Sequence, residues 1–414
     1  MFRLLSDMVF PIVKPVMSYV LKKKEYPESA IERKYGIMPE EGFRGNHNVI
    51  MFHGVSVGEI NALENLVKET RRQFPELKIV VTTGTHTGQD LAKKKLGEIA
   101  DLITYFPADF PCVIKKFLDK VCPSTVLIAE TEIWPNFAME CKKRGIKINI
   151  INGRISDSTF KSYNMLKFIF RYFLSFYDGI YTQSSEDNEK FLQLGANPET
   201  TKRMNNLKFD IKKPEIDFDF DKSGSRILLA GSTHKGEDEI VFYNFRRLKE
   251  KHPDLKLIIA PRHLTRTEEI RALAESFGFK FDFRSNNITS MNDIDVLILD
   301  TLGELGKMYA FSDIAFIGGS FNNTGGHNPL EAIIFGVPVI SGFDVHNFKD
   351  IYSIIKNSGA GFVVDSRDEF YNIADDLLSN KDFYIATSKK CADVFEEQQG
   401  ALEFVIDIIR NGLK

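Results

Sequence analysis

The chain has 414 residues, too many for one ordinary hydrophobic core and suited to two domains of about 200 residues each. A formal net charge of -3 excludes a general basic face for nucleic acid, so any anion recognition must be local. Four cysteines, Cys112, Cys122, Cys141 and Cys391, form no CxxC pair or regular framework, which argues for buried thiols in a reduced compartment and against structural zinc.

The first segment, MFRLLSDMVFPIVKPVMSYVLKKK, is apolar but interrupted by Asp7, Pro11, Lys14 and Pro15 and stopped by Lys22, Lys23 and Lys24. It is not a clean membrane-spanning helix, and no small-residue cleavage site follows it. An interfacial anchor, with apolar side chains at the acyl boundary and lysines at anionic headgroups, fits better than a helix packed only on its own domain.

From Asn48 apolar strands alternate with amphipathic helices: NVIMFHGV, a helix near Glu59 to Gln73, LKIVVTTGT, another helix, STVLIAETEIW, KINIINGRI and GIYTQS. Continuous apolar runs of this kind predict a parallel sheet covered on both faces. KKPEIDFDFDKSGS, Lys212 to Ser225, loses the rhythm and reads as a linker. The rhythm restarts with RILLAGST, LKLIIAPRH, DVLILDT, DIAFIGGS and VPVISG. The expected domains are a membrane-associated segment 1–24, an α/β domain 25–211, the linker 212–225 and a second α/β domain 226–414, its last helix a candidate to cross back.

Open α/β sheets bind ligands at the carboxyl ends of their strands, and the polar clusters of this chain fall there. HGVSVGE puts Glu59 near a helix start, either as a general base toward a hydroxyl or as a complement to the helix dipole. VTTGTHTG reads equally as an anion loop or a Ser/Thr-rich turn. ETEIWPNF carries the only Trp, set between two acids before it and a Pro-Asn turn after it, suited to holding polyols or simply to packing, and Arg154 in INGRIS can receive a carboxylate or phosphate. GSTHKGEDE, the Arg262-His263 pair and Lys208 gather positive charge and free N–H groups. GGSFNNTGGHNPLEA, from Gly318, is the clearest anion loop. Gly325 and Gly326 permit positive φ, Asn328 and Pro329 lead into a helix, and Glu331 lies on its first turn, within reach of a ribose diol. Asp293 with Asp295, and Asp217 with Asp219 and Asp221, imitate a metal-binding DxD but stand away from that loop.

In this order, HGVSVGE, TTGTHTG, ETEIWPNF, NGRIS followed by Tyr163, NLKFD, GSTHKGEDE, APRH, GGSFNNTGGHNPLEA and Asn347-Phe348 resemble the 3-deoxy-D-manno-octulosonic acid (Kdo) transferases of lipopolysaccharide assembly. The resemblance spans about Ala30 to Phe348. It implies a GT-B glycosyltransferase, two Rossmann-like domains facing a cleft, that moves Kdo from CMP-Kdo to a lipid A precursor (lipid IVA) with inversion. It implies a place on the membrane surface at the cytoplasmic face of the cell inner membrane; no cofactor, no metal and no nucleic acid are expected, the DxD-like acids standing away from the loop and the net charge offering no basic face. It assigns the base to Glu59, acceptor and Kdo contacts to Ser56, Thr83, Glu130, Arg154 and Lys208, and CMP contacts to Ser232, Thr233, Arg262, His263, Gly325, Gly326, Asn328 and Glu331. Two positions depart from the family. Asn205 stands where Gly is common, tolerable because Asn accepts left-handed backbone, and Gly54 follows His53 where Ala is frequent. The competing readings are a nucleotide-sugar 2-epimerase of the same fold, which needs no lipid acceptor, and a catalytically dead binding scaffold.

Overall fold

The computed structural model describes residues 2–38, 42, 43, 45 and 48–412, with side chains from Ser6 onward; Met1 of the expected membrane segment lies outside the described residues. The chain divides into two units, Met1–Ile211 with Gln398–Lys414, and Lys212–Glu397.

The first unit begins with helices α1 (Phe2–Lys23) and α2 (Glu28–Lys34). The alternation then runs β1 (Val49–Gly54), α3 (Val57–Gln73), β2 (Lys78–Thr83), α4 (His86–Leu96), β3 (Leu102–Tyr105), α5 (Pro111–Val121), β4 (Thr125–Ala129), α6 (Pro135–Lys143) and β5 (Lys147–Gly153). It closes with α7 (Asp157–Met165), α8 (Lys167–Leu174), β6 (Gly179–Thr182), α9 (Ser185–Gln193) and β7 (Thr201–Arg203). All seven strands are parallel, in the order β3-β2-β1-β4-β5-β6-β7. Alternate residues of each strand feed opposite cores, which is why the runs read as continuously apolar. Val49 and Met51 join Ile114, Phe117, Phe137 and Leu174 under α5, α6 and α8, while Ile50 and Phe52 join Leu63 and Leu66 under α3.

The second unit contains β8 (Arg226–Thr233), α10 (Glu237–Lys251), β9 (Leu255–Pro261), α11 (Thr267–Ser276), β10 (Phe281–Phe283), β11 (Val296–Ile298), α12 (Leu305–Met308) and β12 (Ile314–Ile317). It continues with α13 (Leu330–Ile333), β13 (Val339–Ser341), α14 (Lys349–Ser358), β14 (Gly361–Val363), α15 (Arg367–Ser379) and α16 (Lys381–Gln398). Its parallel order is β10-β11-β9-β8-β12-β13-β14.

The second unit begins at Lys212, so the expected linker falls within it, and it stops at Glu397, ahead of the helix named above as a candidate to cross back. The last helix, α17 (Ala401–Gly412), buries Ala401, Val405, Ile406 and Ile409 in the α3 side of the first unit's core. Its N terminus is held by the Asp210 carboxylate, which accepts the N–H groups of Gly400 (2.8 Å) and Leu402 (2.6 Å). The expected linker is instead a strap on the second unit: Phe218 and Phe220 pack on Phe311 at 5.9 and 5.4 Å between ring centroids, and Asp217 pairs with Lys307 at 2.7 Å.

The N-terminal segment both packs and exposes. Phe10 lies against Phe110 and Tyr35, and the Asp7 carboxylate accepts the Cys112 N–H at 2.8 Å. Met8, Ile12, Val16 and Val20, four residues apart, form an outward apolar stripe. No helix among the described residues is long and apolar enough to cross a membrane.

Candidate active site

Strand order reverses between β1 and β4 in the first unit and between β8 and β12 in the second, and such switch points open a crevice at the carboxyl ends of the strands. Glu59, Glu130 and Glu132 stand at the first switch point, after β1 and β4. The glycine loop and the loop after β8 stand at the second.

Ser56 is the N-cap of α3 and Glu59 its N3 residue, together a capping box. The Glu59 carboxylate accepts the backbone N–H of Val55 and of Ser56 (3.2 Å), and the Ser56 hydroxyl donates to it at 3.2 Å. Both readings of this residue therefore have a physical basis. N–H bonds favour the charged form, yet burial outweighs them and, with the neighbouring charges of Glu130 and Glu132, pushes the Glu59 carboxyl up to about 7. Glu132 is likewise pushed up to about 7 by burial and then by Glu130. Glu130 itself sits in left-handed backbone, φ 60°, directly after β4.

The loop after β2 seats the Glu59 loop. The carbonyl of Val55 accepts the N–H of Gly84 and of Thr85, both at 3.0 Å, and the Thr85 hydroxyl at 3.1 Å. A Cβ at Gly84 would stand 2.6 Å from Val55 Cγ1, so the two loops meet only with glycine there. Thr83 is turned into this frame, fully buried, its hydroxyl donating to Gln89 at 2.5 Å, and its expected role as a substrate contact is corrected on that ground. Lys34, not singled out in the sequence, donates to the Gly84 carbonyl at 2.9 Å between the rings of Tyr26 and Tyr105, and burial lowers its pKa to about 8. His53 is fully buried with Nδ1 against Thr82, and burial lowers it to about 3. Its Nε2, like the Thr131 hydroxyl, is buried and has no protein partner among the described residues, so the strand ends at this switch point keep polar atoms for something else.

Arg154 is half-buried just beyond β5. Lys208 is presented by a single turn, Leu207–Phe209, that two buried asparagines hold: Asn152 accepts the Leu207 N–H and Asn206 the Lys208 N–H, each at 3.0 Å. Asn205 adopts the left-handed backbone its position calls for, φ 70°.

In the second unit the side chain of Glu237, 1% exposed, organises both loops at the switch point. One oxygen accepts the N–H of His234 (2.9 Å) and Gly319 (2.7 Å), the other those of Ser320 (2.8 Å) and Phe321 (2.9 Å). The strand ends touch: a Cβ on Gly318 would lie 2.4 Å from the Ser232 carbonyl oxygen. Gly318→Ala is therefore expected to force β8 and β12 apart and to cost about 2–3 kcal/mol, read as a lowered melting temperature. Thr233 is buried and its carbonyl takes the Arg262 N–H at 3.0 Å, so its backbone belongs to the frame, whereas its buried hydroxyl has no protein partner among the described residues.

Gly325 and Gly326 adopt φ 92° and 73°. Gly326 N–H closes the loop on the Gly319 carbonyl at 2.7 Å, and Gly325 N–H is held by Asp344 at 2.9 Å. His234 and His327 stack with Nε2 atoms 2.9 Å apart, and His263 meets His234 edge-on. Burial and then His234 and Arg262 lower His327 to about 4, so the pair is neutral and one ring nitrogen donates to the other. Glu331 is pushed up by burial and drawn down by Arg262, whose guanidinium therefore serves both the acid and the histidines. Asn328 accepts the Leu330 N–H at 3.1 Å across Pro329, a local turn just ahead of α13. Ser232 is half-buried in left-handed backbone, φ 55°. The structure thus gathers Ser232, Arg262, His263, the two glycines, Asn328 and Glu331 on the loops of one sheet edge. Of the DxD-like acids, Asp295 pairs with Lys249 and Lys256, and Asp217 with Lys307.

Two all-parallel α/β units, each with its polar loops at a switch point, define the GT-B class of fold. The fold is shared with Acinetobacter baumannii MurG, TM-score 0.55 at 11% identity over 88% of this chain and 99% of that one, and with UDP-GlcNAc 2-epimerase from Neisseria meningitidis, TM-score 0.53 at 12% identity over 88% and 99%. Residues 29–211 match the family model described as 3-deoxy-D-manno-octulosonic-acid transferase (kdotransferase). The 3-deoxy-D-manno-octulosonic acid transferase of Haemophilus influenzae is 33% identical over 382 residues, 89% of each chain. The chain belongs to the Kdo transferase family.

Proposed function

We propose that this protein transfers Kdo from CMP-Kdo to a lipid A precursor, lipid IVA, with inversion and without a metal, at the cytoplasmic face of the cell inner membrane. The observation that carries the reading is Glu59: a carboxyl tuned to about 7 at the first switch point of a chain in this family. A base of that pKa is charged in a useful fraction at neutral pH yet strong enough to take a proton as an alcohol attacks. In the proposed step the acceptor hydroxyl gives its proton to Glu59 while its oxygen bonds to the anomeric carbon of Kdo. The bond from that carbon to the CMP phosphate oxygen breaks, its electron pair leaving with CMP, and attack opposite the leaving group inverts the centre. The phosphate is already a good leaving group, so the remaining work is charge stabilisation. That task is assigned in the second unit to Arg262, His263, the Gly325-Gly326 loop and Ser232, with Asn328 and Glu331 toward the nucleoside. Acceptor and Kdo contacts are assigned in the first unit to Ser56, Glu130, Arg154 and Lys208.

The α1 stripe of Met8, Ile12, Val16 and Val20 with Lys22, Lys23 and Lys24 at its end supports a helix lying in the membrane interface, apolar side toward the acyl chains. The test is mass spectrometry of a tetraacyl lipid A precursor incubated with the protein and freshly generated CMP-Kdo, with and without chelator. Product ions heavier by whole Kdo units, unaffected by the chelator, are expected. No shift with an intact donor would turn the assignment toward a nucleotide-sugar 2-epimerase, and chelator-sensitive turnover would end the metal-free part.

A further inference from the structure

Beyond α1, the first unit carries a second outward apolar surface. Helices α7 and α8 form a short hairpin that leaves the sheet directly after β5 and the Arg154 loop. Its inner side is well packed: Phe160 and Tyr163 lie against the core, Leu174 is buried, and the Tyr163 and Phe170 rings stack at 3.9 Å. Its outer side is not covered. Met165 is 79% exposed, Phe168 74%, Tyr172 54% and Leu166 47%, four large apolar side chains within eight residues. Single exposed apolar residues need no explanation, but a cluster confined to one hairpin tip does.

Charge identifies the occupant. The hairpin carries Lys161, Lys167 and Arg171, all exposed, against one acid, Asp157, which is engaged by Lys190 at 2.8 Å. A protein partner would be met as well by either sign, whereas aromatic and aliphatic side chains rimmed by cations match the headgroup and acyl boundary of an anionic bilayer. The packing agrees: α1 lies on α5, α5 on α6 and α6 on α8, so the hairpin and the α1 stripe belong to one layer of helices. Two weak interfacial contacts in one layer bind together what neither holds alone.

The geometry points to the 165–172 tip as a second membrane-contacting surface, seated at the acyl boundary of a bilayer bearing anionic headgroups. This rests on the reading above only in that a lipid acceptor gives such a contact its purpose; the contact itself is measured without acceptor or donor. The experiment is flotation of the full chain with vesicles of phosphatidylethanolamine and phosphatidylglycerol, and with phosphatidylcholine vesicles, comparing the unaltered protein, Phe168→Asp with Tyr172→Asp, and Lys161→Glu with Lys167→Glu. Because the altered side chains are exposed, with the Tyr172 ring also edge-on to Phe176 at 5.0 Å, the melting temperature should move by no more than a few degrees. The aromatic replacements are expected to weaken partition by roughly tenfold or more with α1 intact, and the lysine replacements to weaken it on the anionic vesicles alone. Unchanged partition of the Phe168→Asp, Tyr172→Asp protein overturns the proposal. So does a dimer in sedimentation equilibrium that these replacements abolish, which would give the surface to a second copy of the chain. Kdo transfer to a short-chain, water-soluble acceptor should be retained by the variants; failure of the unaltered protein in that assay counts against the proposed reaction and leaves the partition result standing.

Discussion

Replacing Glu59 by Gln is expected to lower transfer by roughly 10²–10⁴ in kcat while leaving the fold at least as stable as before. Glutamine at N3 still serves a capping box, because its carbonyl oxygen accepts the same Val55 and Ser56 N–H groups. What it cannot do is take a proton. The substitution therefore separates the two roles that meet in this residue: a carboxylate that merely complemented the helix would lose stability and keep turnover. The pH dependence has a definite sign. The folded-state pKa, about 7, lies above the ordinary value of 4.5. The folded protein thus holds a proton that the unfolded chain releases between about 4.5 and 7, and stability falls as pH rises through that window. Glu59→Gln should remove Glu59's share of this fall, leaving that of Glu132. Activity of the unaltered protein should rise through about pH 7 as the base becomes charged. Denaturant titrations and kcat/KM at pH 5, 7 and 8 check both; equal turnover in the Gln variant would remove Glu59 from the chemistry.

Glu237→Gln is expected to be more disruptive to structure than to any single contact with substrate. The carboxylate accepts four backbone N–H groups through two oxygens. An amide offers one oxygen and sets its own NH2 against the other pair of donors. Two N–H groups then lose their partner at about 1–3 kcal/mol each, a loss of about 2–6 kcal/mol in all. For a unit of this size that lowers the melting temperature by roughly 5–20 °C. Because the donors belong to the loops after β8 and β12, the KM for CMP-Kdo should rise before kcat falls. Calorimetry and steady-state kinetics on the Gln and Ala variants read both effects, and a Gln variant that melts with the unaltered protein would show that the four bonds do not hold the loops.

The sheets were the legible part of this protein. Strands such as Ile50 to Phe52 and Leu228 to Ala230 are buried on both faces, so an unbroken apolar run is their physical signature. The glycine loop was equally open to reading, since Gly325 and Gly326 occupy backbone that only glycine adopts freely. Thr83 misled because a threonine at a strand end can turn into the frame or out to a ligand, and one residue of pleat decides which. Glu237 escaped because an acid in a first helical turn looks like a dipole complement wherever its carboxylate points. Glu132 was visible beside Trp134 and two residues from Glu130, but its tuning depends first on burial, which is not local in sequence. The destination of α17 was undetermined for a related reason: an amphipathic helix declares that it packs, not upon what.

That destination bears on how the chain comes to be folded. The first unit's core on the α3 side is closed by Ala401, Val405, Ile406 and Ile409, and the Asp210 carboxylate accepts the N–H groups of Gly400 and Leu402. On the ribosome, residues Lys212–Glu397 emerge in one uninterrupted stretch, whereas the unit begun before them waits for Ala401–Gly412 before its apolar surface is sealed. The stretch synthesised second is therefore free to fold first, and the nascent first unit, open along one flank, is where a holding chaperone would find work until that helix has emerged.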